Sequence, residues 1–208
     1  MPGQLFVISG PSGAGKSTII AALRGGFGDL AYSISHTTRR PRGVEADGVH
    51  YHFVDRKTFE AMIAGGAFVE WARVYDDLYG TSFAGLDKQL ASGADVLLDV
   101  DAQGAESIRR RYPHSVLVYL LPPSLEALGT RLMQRRTDDA PTIRNRLEKA
   151  RQEIQKCAGY DHIVINDTLD TAVAEIRAVI VSERCRASRR MSAVRRLFPF
   201  LGIRPIDP

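Results

Sequence analysis

The stretch Leu5-Phe6-Val7-Ile8-Ser9-Gly10-Pro11-Ser12-Gly13-Ala14-Gly15-Lys16-Ser17-Thr18 decides how the rest of the chain is read. Leu5 to Ile8 is a short apolar run of strand formers, and Ser17 to Leu23 continues as a helix. Between them Gly10, Gly15, Lys16 and Ser17 occupy the fixed places of G-x-x-x-x-G-K-[ST]. A strand–turn–helix setting separates a phosphate-binding loop from a chance match. Glycines let backbone N–H groups turn inward around an anion, and the helix start adds the positive end of its dipole. Lys16 can reach the β- and γ-phosphates of a triphosphate, and the Ser17 hydroxyl can ligate Mg²⁺. Gly10 to Thr18 is therefore the candidate triphosphate site.

Outward from this loop the chain alternates between strand and helix patterns. Leu30–Ser35 and Tyr51–Val54 read as short strands, Lys57–Gly65 as a helix and Ala67–Val74 as extended. Tyr79–Ser82 reads as a turn into a helix over Phe83–Ala91, and Val96–Asp101 as a buried strand. Helix over Ala105–Arg111, strand over Ser115–Leu121, helices over Leu125–Arg136 and Ile143–Cys157, strand over His162–Ile165 and a long helix from Ala172 complete the series. The alternation predicts an α/β fold with a parallel sheet flanked by helices, the first strand feeding the phosphate loop. Ile34 to Leu90 breaks the alternation and is strand-rich, so it reads as an inserted lobe for a second substrate. The expected organisation is one domain over 1–208: core 1–33, 91–125 and 158–186, lobe 34–90, helical lid 126–157, and basic tail 187–208.

Hydrophobic residues at 44% and charged residues at 25% fit an ordinary soluble protein. No apolar run approaches the roughly 18 residues of a membrane span, and the N-terminus lacks a signal-peptide layout. A cytoplasmic protein without a membrane partner is expected, its cysteines Cys157 and Cys185 reduced. The net charge of +4 is uneven: Arg184 to Pro208 holds seven arginines and one acid, a balance of +6, so the rest carries −2. A basic tail on a near-neutral body is weak support for nucleic-acid binding, and none is expected. Together with the apolar Leu197–Leu201, the tail could continue the last helix and dock on a second copy of the chain or on an acidic surface.

Asp99 ends the strand Val96–Leu98, where an acid facing Mg²⁺ beside a phosphate loop would stand. Asp101, two residues on, points to the same side while the strand lasts. In the loop Ser33–Arg42, Arg39 and Arg42 suit a grip on a phosphate monoester, to which Tyr51 and Tyr79 could add hydroxyl donors. His36 reads as a hydrogen-bonded structural residue.

Several segments, in order, resemble guanylate kinase: Gly10–Ser17, Ser35-His36-Thr37-Thr38-Arg39 with Pro41-Arg42, Gly48-Val49-His50-Tyr51, and Phe68-Val69-Glu70-Trp71-Ala72. Tyr79-Gly80-Thr81-Ser82, Asp99-Val100-Asp101-Ala102-Gln103-Gly104, Leu121-Pro122-Pro123-Ser124 and Ile163-Val164-Ile165-Asn166-Asp167 extend the match over roughly Leu5 to Ile180. The resemblance implies a phosphate-loop kinase fold and transfer of the γ-phosphoryl group of ATP to GMP. It implies that Ser35 and Glu70 read guanine and that Arg39, Arg42, Tyr51 and Tyr79 hold the GMP phosphate. Thr81 and Asp101 would lie near the base, with Asp101 alternatively facing the metal. Arg135 and Arg146 would enter from the lid as catalytic groups beside Lys16 and Arg39, and Asn166 would lie near the adenine. Mg²⁺ on Ser17 and Asp99 would accompany ATP.

The chemistry agrees. A carboxylate at Glu70 accepts from guanine N1–H and the 2-amino group together, and adenine offers neither. Val44, Asp76-Asp77-Leu78, Asn145 and Arg136 depart from the family pattern and bear on loop shape, rate and lid motion rather than on reaction type. A related kinase for another nucleotide, or a protein-binding domain of the same shape, are the rival readings. Ser35 with Glu70 argues against the first, and the complete loop Gly10–Ser17 against the second.

Overall fold

The computed structural model describes residues 2–74, 76–134 and 140–201. Within them the strands are β1 (Leu5–Ser9), β2 (Leu30–Tyr32), β3 (His36–Thr37), β4 (His52–Phe53), β5 (Phe68–Val74), β6 (Asp77–Ser82), β7 (Asp95–Asp99), β8 (Val116–Leu121) and β9 (His162–Ile165). The helices are α1 (Lys16–Gly26), α2 (Arg56–Ala64), α3 (Phe83–Ala91), α4 (Ala102–Arg111), α5 (Leu125–Gln134), α6 (Ala140–Ile154), α7 (Leu169–Arg184) and α8 (Ala187–Leu197).

β1 is buried along its whole length, as a run of apolar residues requires of a central strand covered on both faces. It pairs in parallel with β7 on one side and β8 on the other, in a sheet ordered β2-β7-β1-β8-β9 with every pairing parallel. Alternate residues feed two cores. Phe6, Ile8, Leu97, Val118 and Leu120 pack under Ile19 and Leu23 of α1 and Ile176 and Ile180 of α7. Leu5, Val7, Val96, Leu98 and Leu117 pack on the opposite face under Leu86 of α3 and Ala105 and Ile108 of α4. Sheets of this kind bind ligands outside the carboxyl ends of the strands, and the phosphate loop lies there, directly after β1.

A second sheet, ordered β4-β3-β6-β5, forms the inserted lobe around Phe59, Phe68 and Leu78. α5 and α6 carry a further small core of their own, with Leu128, Leu132 and Ala150 buried and Ile143 and Leu147 against them.

The structure changes five sequence readings. Tyr79–Ser82 is not a turn: it belongs to β6, where Gly80 and Thr81 are buried against β5. A Cβ on Gly80 would lie 2.9 Å from the Phe68 ring, so this glycine serves close packing. The strand ends at Asp99, and Asp101 instead caps α4, its side chain accepting from Gly104 N–H at 2.8 Å. α3 packs on the main sheet, so the strand-rich insertion closes near Ser82 rather than Leu90. The last helix does not run into the tail: α7 stops at Arg184, and α8 starts afresh after Cys185-Arg186. His36 packs its ring 4.7 Å from that of His52, and its Nδ1 is buried without a hydrogen bond among the described residues.

Candidate active site

Gly15 precedes α1 with φ 100°, a left-handed conformation that only glycine adopts freely. A side chain there would also collide with Asn166, whose Nδ2 would lie 2.3 Å from the added Cβ. Buried Asn166 donates through Nδ2 to the Ala14 carbonyl at 2.7 Å, bracing the middle of the phosphate loop from β9's end. Lys16 Nζ lies across the loop, donating to the Gly10 carbonyl at 2.7 Å. A cavity of about 370 Å³ opens beside the loop, lined by Gly13, Gly15, Thr18, Arg131, Gln134, Asn166, Asp167 and Leu169. Asn166 thus both braces the loop and faces the space beside it.

Sequence reasoning missed Arg131 and Asp167. Arg131 sits on α5, lines the cavity and donates to the Asn166 carbonyl at 2.8 Å. A charged residue on a helix is no signal by itself, but half-burial between Leu128 and Leu132 marks it once the fold is known.

Asp99 lies beside Ile8 in register, so the parallel sheet delivers this acid next to the start of the loop. Burial pushes its carboxyl upward, against the pull of the Lys16 charge. Asp99 is half-buried and makes no hydrogen bond with any described residue, which leaves its carboxylate oxygens free to take a cation. The hard oxygens of Ser17 and Asp99 suit Mg²⁺, which takes one or two carboxylates and completes its shell with phosphate and water. Among the described residues no cluster of three or more His, Cys, Asp or Glu forms a closed metal cage.

The second half of the site comes from the lobe. Ser35 Oγ and Thr81 Oγ1 lie 3.2 Å apart. Thr81 pairs with Glu70 across β5 and β6, and the register shifts between Phe68 and Glu70. Such an irregularity re-aims a side chain. The Glu70 carboxylate accepts from the Asp101 N–H at 3.4 Å and packs over Gly104, where a Cβ would stand 3.0 Å from its oxygen. Burial first, then the Asp101 charge, pushes the Glu70 carboxyl up to about 7. Gly104 therefore makes room for Glu70 inside α4.

Arg39 is buried in a box of Glu45, Tyr51, Phe53 and Tyr79. Its guanidinium pairs with Glu45 at 2.9 Å and lies 5.5 Å from the Tyr51 ring, which in turn stands 5.9 Å from Tyr79. The hydrogen bond from Arg39 and the Arg42 N–H hold Glu45 down at about 2. Arg42 is exposed near the rim of this box. Arg146 is half-buried on α6, whereas Arg135 and Arg136 lie outside the described residues. Of the other departures, Val44 is exposed in a turn, Leu78 joins the lobe core and Asn145 is exposed.

Sheet order, phosphate loop and inserted lobe together define a phosphate-loop kinase of α/β architecture. The guanylate kinase family model matches residues 3–183. A guanylate kinase of Syntrophotalea carbinolica is 48% identical over 196 residues, covering 94% of this chain and 93% of that protein. One from Myxococcus xanthus is 47% identical over 189 residues, covering 90% of each. The crystal structure of guanylate kinase from Anaplasma phagocytophilum superposes with a TM-score of 0.71 at 28% identity, covering 98% of this chain and 97% of that one. The chain belongs to the guanylate kinase family, which phosphorylates GMP using ATP.

Proposed function

We propose that the chain transfers the γ-phosphoryl group of ATP to GMP, and to dGMP, in the cytoplasm, with Mg²⁺ accompanying ATP. One observation carries the specificity: a half-buried carboxylate, Glu70, stands across β5 and β6 from the Ser35–Thr81 hydroxyl pair. Charged, it accepts from guanine N1–H and the 2-amino group while Ser35 donates to O6. Adenine would leave the carboxylate buried and unpaired, a mismatch that rejects a ligand by about 10⁴-fold.

The acceptor oxygen belongs to a phosphate already largely ionised at neutral pH, so no general base is needed. The chain's task is to bring two polyanions together and neutralise the moving charge. Arg39, Arg42, Tyr51 and Tyr79 would hold the GMP phosphate, with Asp101 and Thr81 beside the base. For Arg39 this means exchanging Glu45 for the substrate. Lys16 leaves the Gly10 carbonyl for the β- and γ-phosphates that Gly10–Thr18 cradle, and Arg135 and Arg146 close over them from the lid. Ser17 and Asp99 would hold Mg²⁺, which supplies charge neutralisation at the phosphates. Arg131 and Asn166 line the space beside the loop that the rest of ATP would fill. No helix among the described residues is long and apolar enough to cross a membrane.

A screen of GMP, dGMP, AMP, CMP and UMP for ADP release from ATP tests this directly. Turnover confined to GMP and dGMP is expected, and comparable turnover of AMP would overturn the guanine-reading assignment.

A further inference from the structure

Tyr32 lies in no motif, yet the sheet delivers it to the metal side of the site. β2 pairs with β7 so that Tyr32 stands opposite Leu97. The two side chains leave the sheet on the same face, and Asp99, two residues beyond Leu97, leaves it there too. Two residues along a strand and one strand across put their Cα atoms roughly 8 Å apart, within reach of an aromatic side chain. The Tyr32 ring packs on the core cluster that holds Leu97, and the Arg24 guanidinium lies 5.0 Å over it. Its backbone is tied as well, the Tyr32 carbonyl accepting from Gln89 Nε2 at 3.2 Å. The tyrosine hydroxyl is a hydrogen-bond donor at neutral pH, and burial, and after it the Asp99 charge, push it further toward the protonated form. Close by stands Asp99, a half-buried carboxylate with no hydrogen bond from any described residue.

We propose that Tyr32 is a positioning residue, whose hydroxyl donates toward the Asp99 carboxylate through one water and holds it facing the Mg²⁺ that accompanies ATP. A water link suits the pair, which makes no direct hydrogen bond, and suits Mg²⁺, which keeps several waters. The proposal rests on the reading of Asp99 as the acid that faces the metal. Partners that orient a metal-facing carboxylate typically change metal affinity by about tenfold or more when removed.

The test uses Mn²⁺ as probe, its free concentration followed by electron paramagnetic resonance in the enzyme–ADP complex. Tyr32→Phe keeps the ring, its packing and the Arg24 contact. We expect about tenfold weaker Mn²⁺ binding, an unchanged thermal midpoint, and unchanged GMP affinity read from the fluorescence of Trp71. Asp99→Asn is measured beside it. If Asp99→Asn leaves Mn²⁺ affinity intact, the reading of Asp99 fails and the proposal with it. If Asp99→Asn weakens Mn²⁺ binding and Tyr32→Phe does not, Asp99 stands and the proposal is overturned. Should Tyr32→Phe lower the thermal midpoint, the double variant decides: a loss no larger than that of Asp99→Asn supports action through Asp99, and additive losses overturn it.

Discussion

At the scale of single residues, Glu70 holds an ionisable group at the edge of its useful range. Burial and the Asp101 charge keep its carboxyl at about 7. Only the charged form accepts from guanine N1–H and the 2-amino group, so GMP binding should release a proton from the fraction still protonated. We predict that GMP affinity, read from Trp71 fluorescence, strengthens as pH rises from 6 to 8 and then levels, with a slope approaching about tenfold per unit below the Glu70 value. The GMP phosphate ionises nearby, near pH 6, so Glu70→Gln is the control. Only the slope that disappears in that variant belongs to Glu70, and an identical profile in both would refute the role. The sign for stability is opposite. Because the folded-state value lies above the unfolded one, the stability this group contributes at low pH is lost as pH rises toward 7. Glu70→Gln should therefore melt higher than wild type at pH 8.

Between Glu70 and its neighbours stands the start of α4, which shapes the guanine side of the site as a whole element. Asp101 caps the helix through Gly104 N–H and offers its own N–H to Glu70, while the missing Cβ of Gly104 leaves space for the carboxylate. Gly104→Ala improves helix propensity by about 1 kcal/mol but drives a methyl to 3.0 Å from the Glu70 oxygen and 2.9 Å from Val100 Cβ. We expect the KM for GMP to rise about tenfold, a displacement of roughly 1.4 kcal/mol, with the KM for ATP unchanged; equal rises for both would deny α4 this local role. Elements of this kind divide what the sequence discloses from what it withholds. β1, β7 and β8 were legible because buried parallel strands write themselves as unbroken apolar runs, and the loop between β1 and α1 because its spacing is fixed by a phosphate. β6 was not. Its Tyr-Gly-Thr-Ser composition is that of a turn, and only pairing with β5 and the Phe68 ring above Gly80 make it a strand. The same holds for Arg131 and Tyr32, whose importance comes from what lies across the sheet or beside the helix.

Over the whole molecule the parallel sheet has two unlike ends. The carboxyl ends of its strands carry the phosphate loop, Asp99 and the approach to the lobe. The amino ends carry a separate polar lock. Buried Asp95, at the start of β7, receives Arg184 Nε at 2.7 Å and Arg189 Nη2 at 3.1 Å, and also accepts from the Gln4 N–H at 2.6 Å. Arg184 reaches on to Asp29 at 3.1 Å, and Arg189 to the Gln4 carbonyl oxygen Oε1 at 2.6 Å. Part of the basic tail is thus spent on the chain's own sheet, which tempers the reading of that tail as a surface for a second copy. Removing one member of a buried ion group leaves the others uncompensated. Asp95→Ala should therefore lower stability by about 3 kcal/mol in denaturant unfolding while leaving kcat/KM near wild type. A loss of activity without a loss of stability would show that the two ends are not independent.

One contact also sets a timetable. The Asn166 side chain that braces Ala14 lies 152 residues further along the chain. During synthesis the loop's residues emerge 152 residues ahead of their brace. A nascent chain therefore carries an unbraced loop until β9 has been made and docks beside β8, because only then does Asn166 stand within reach of Ala14.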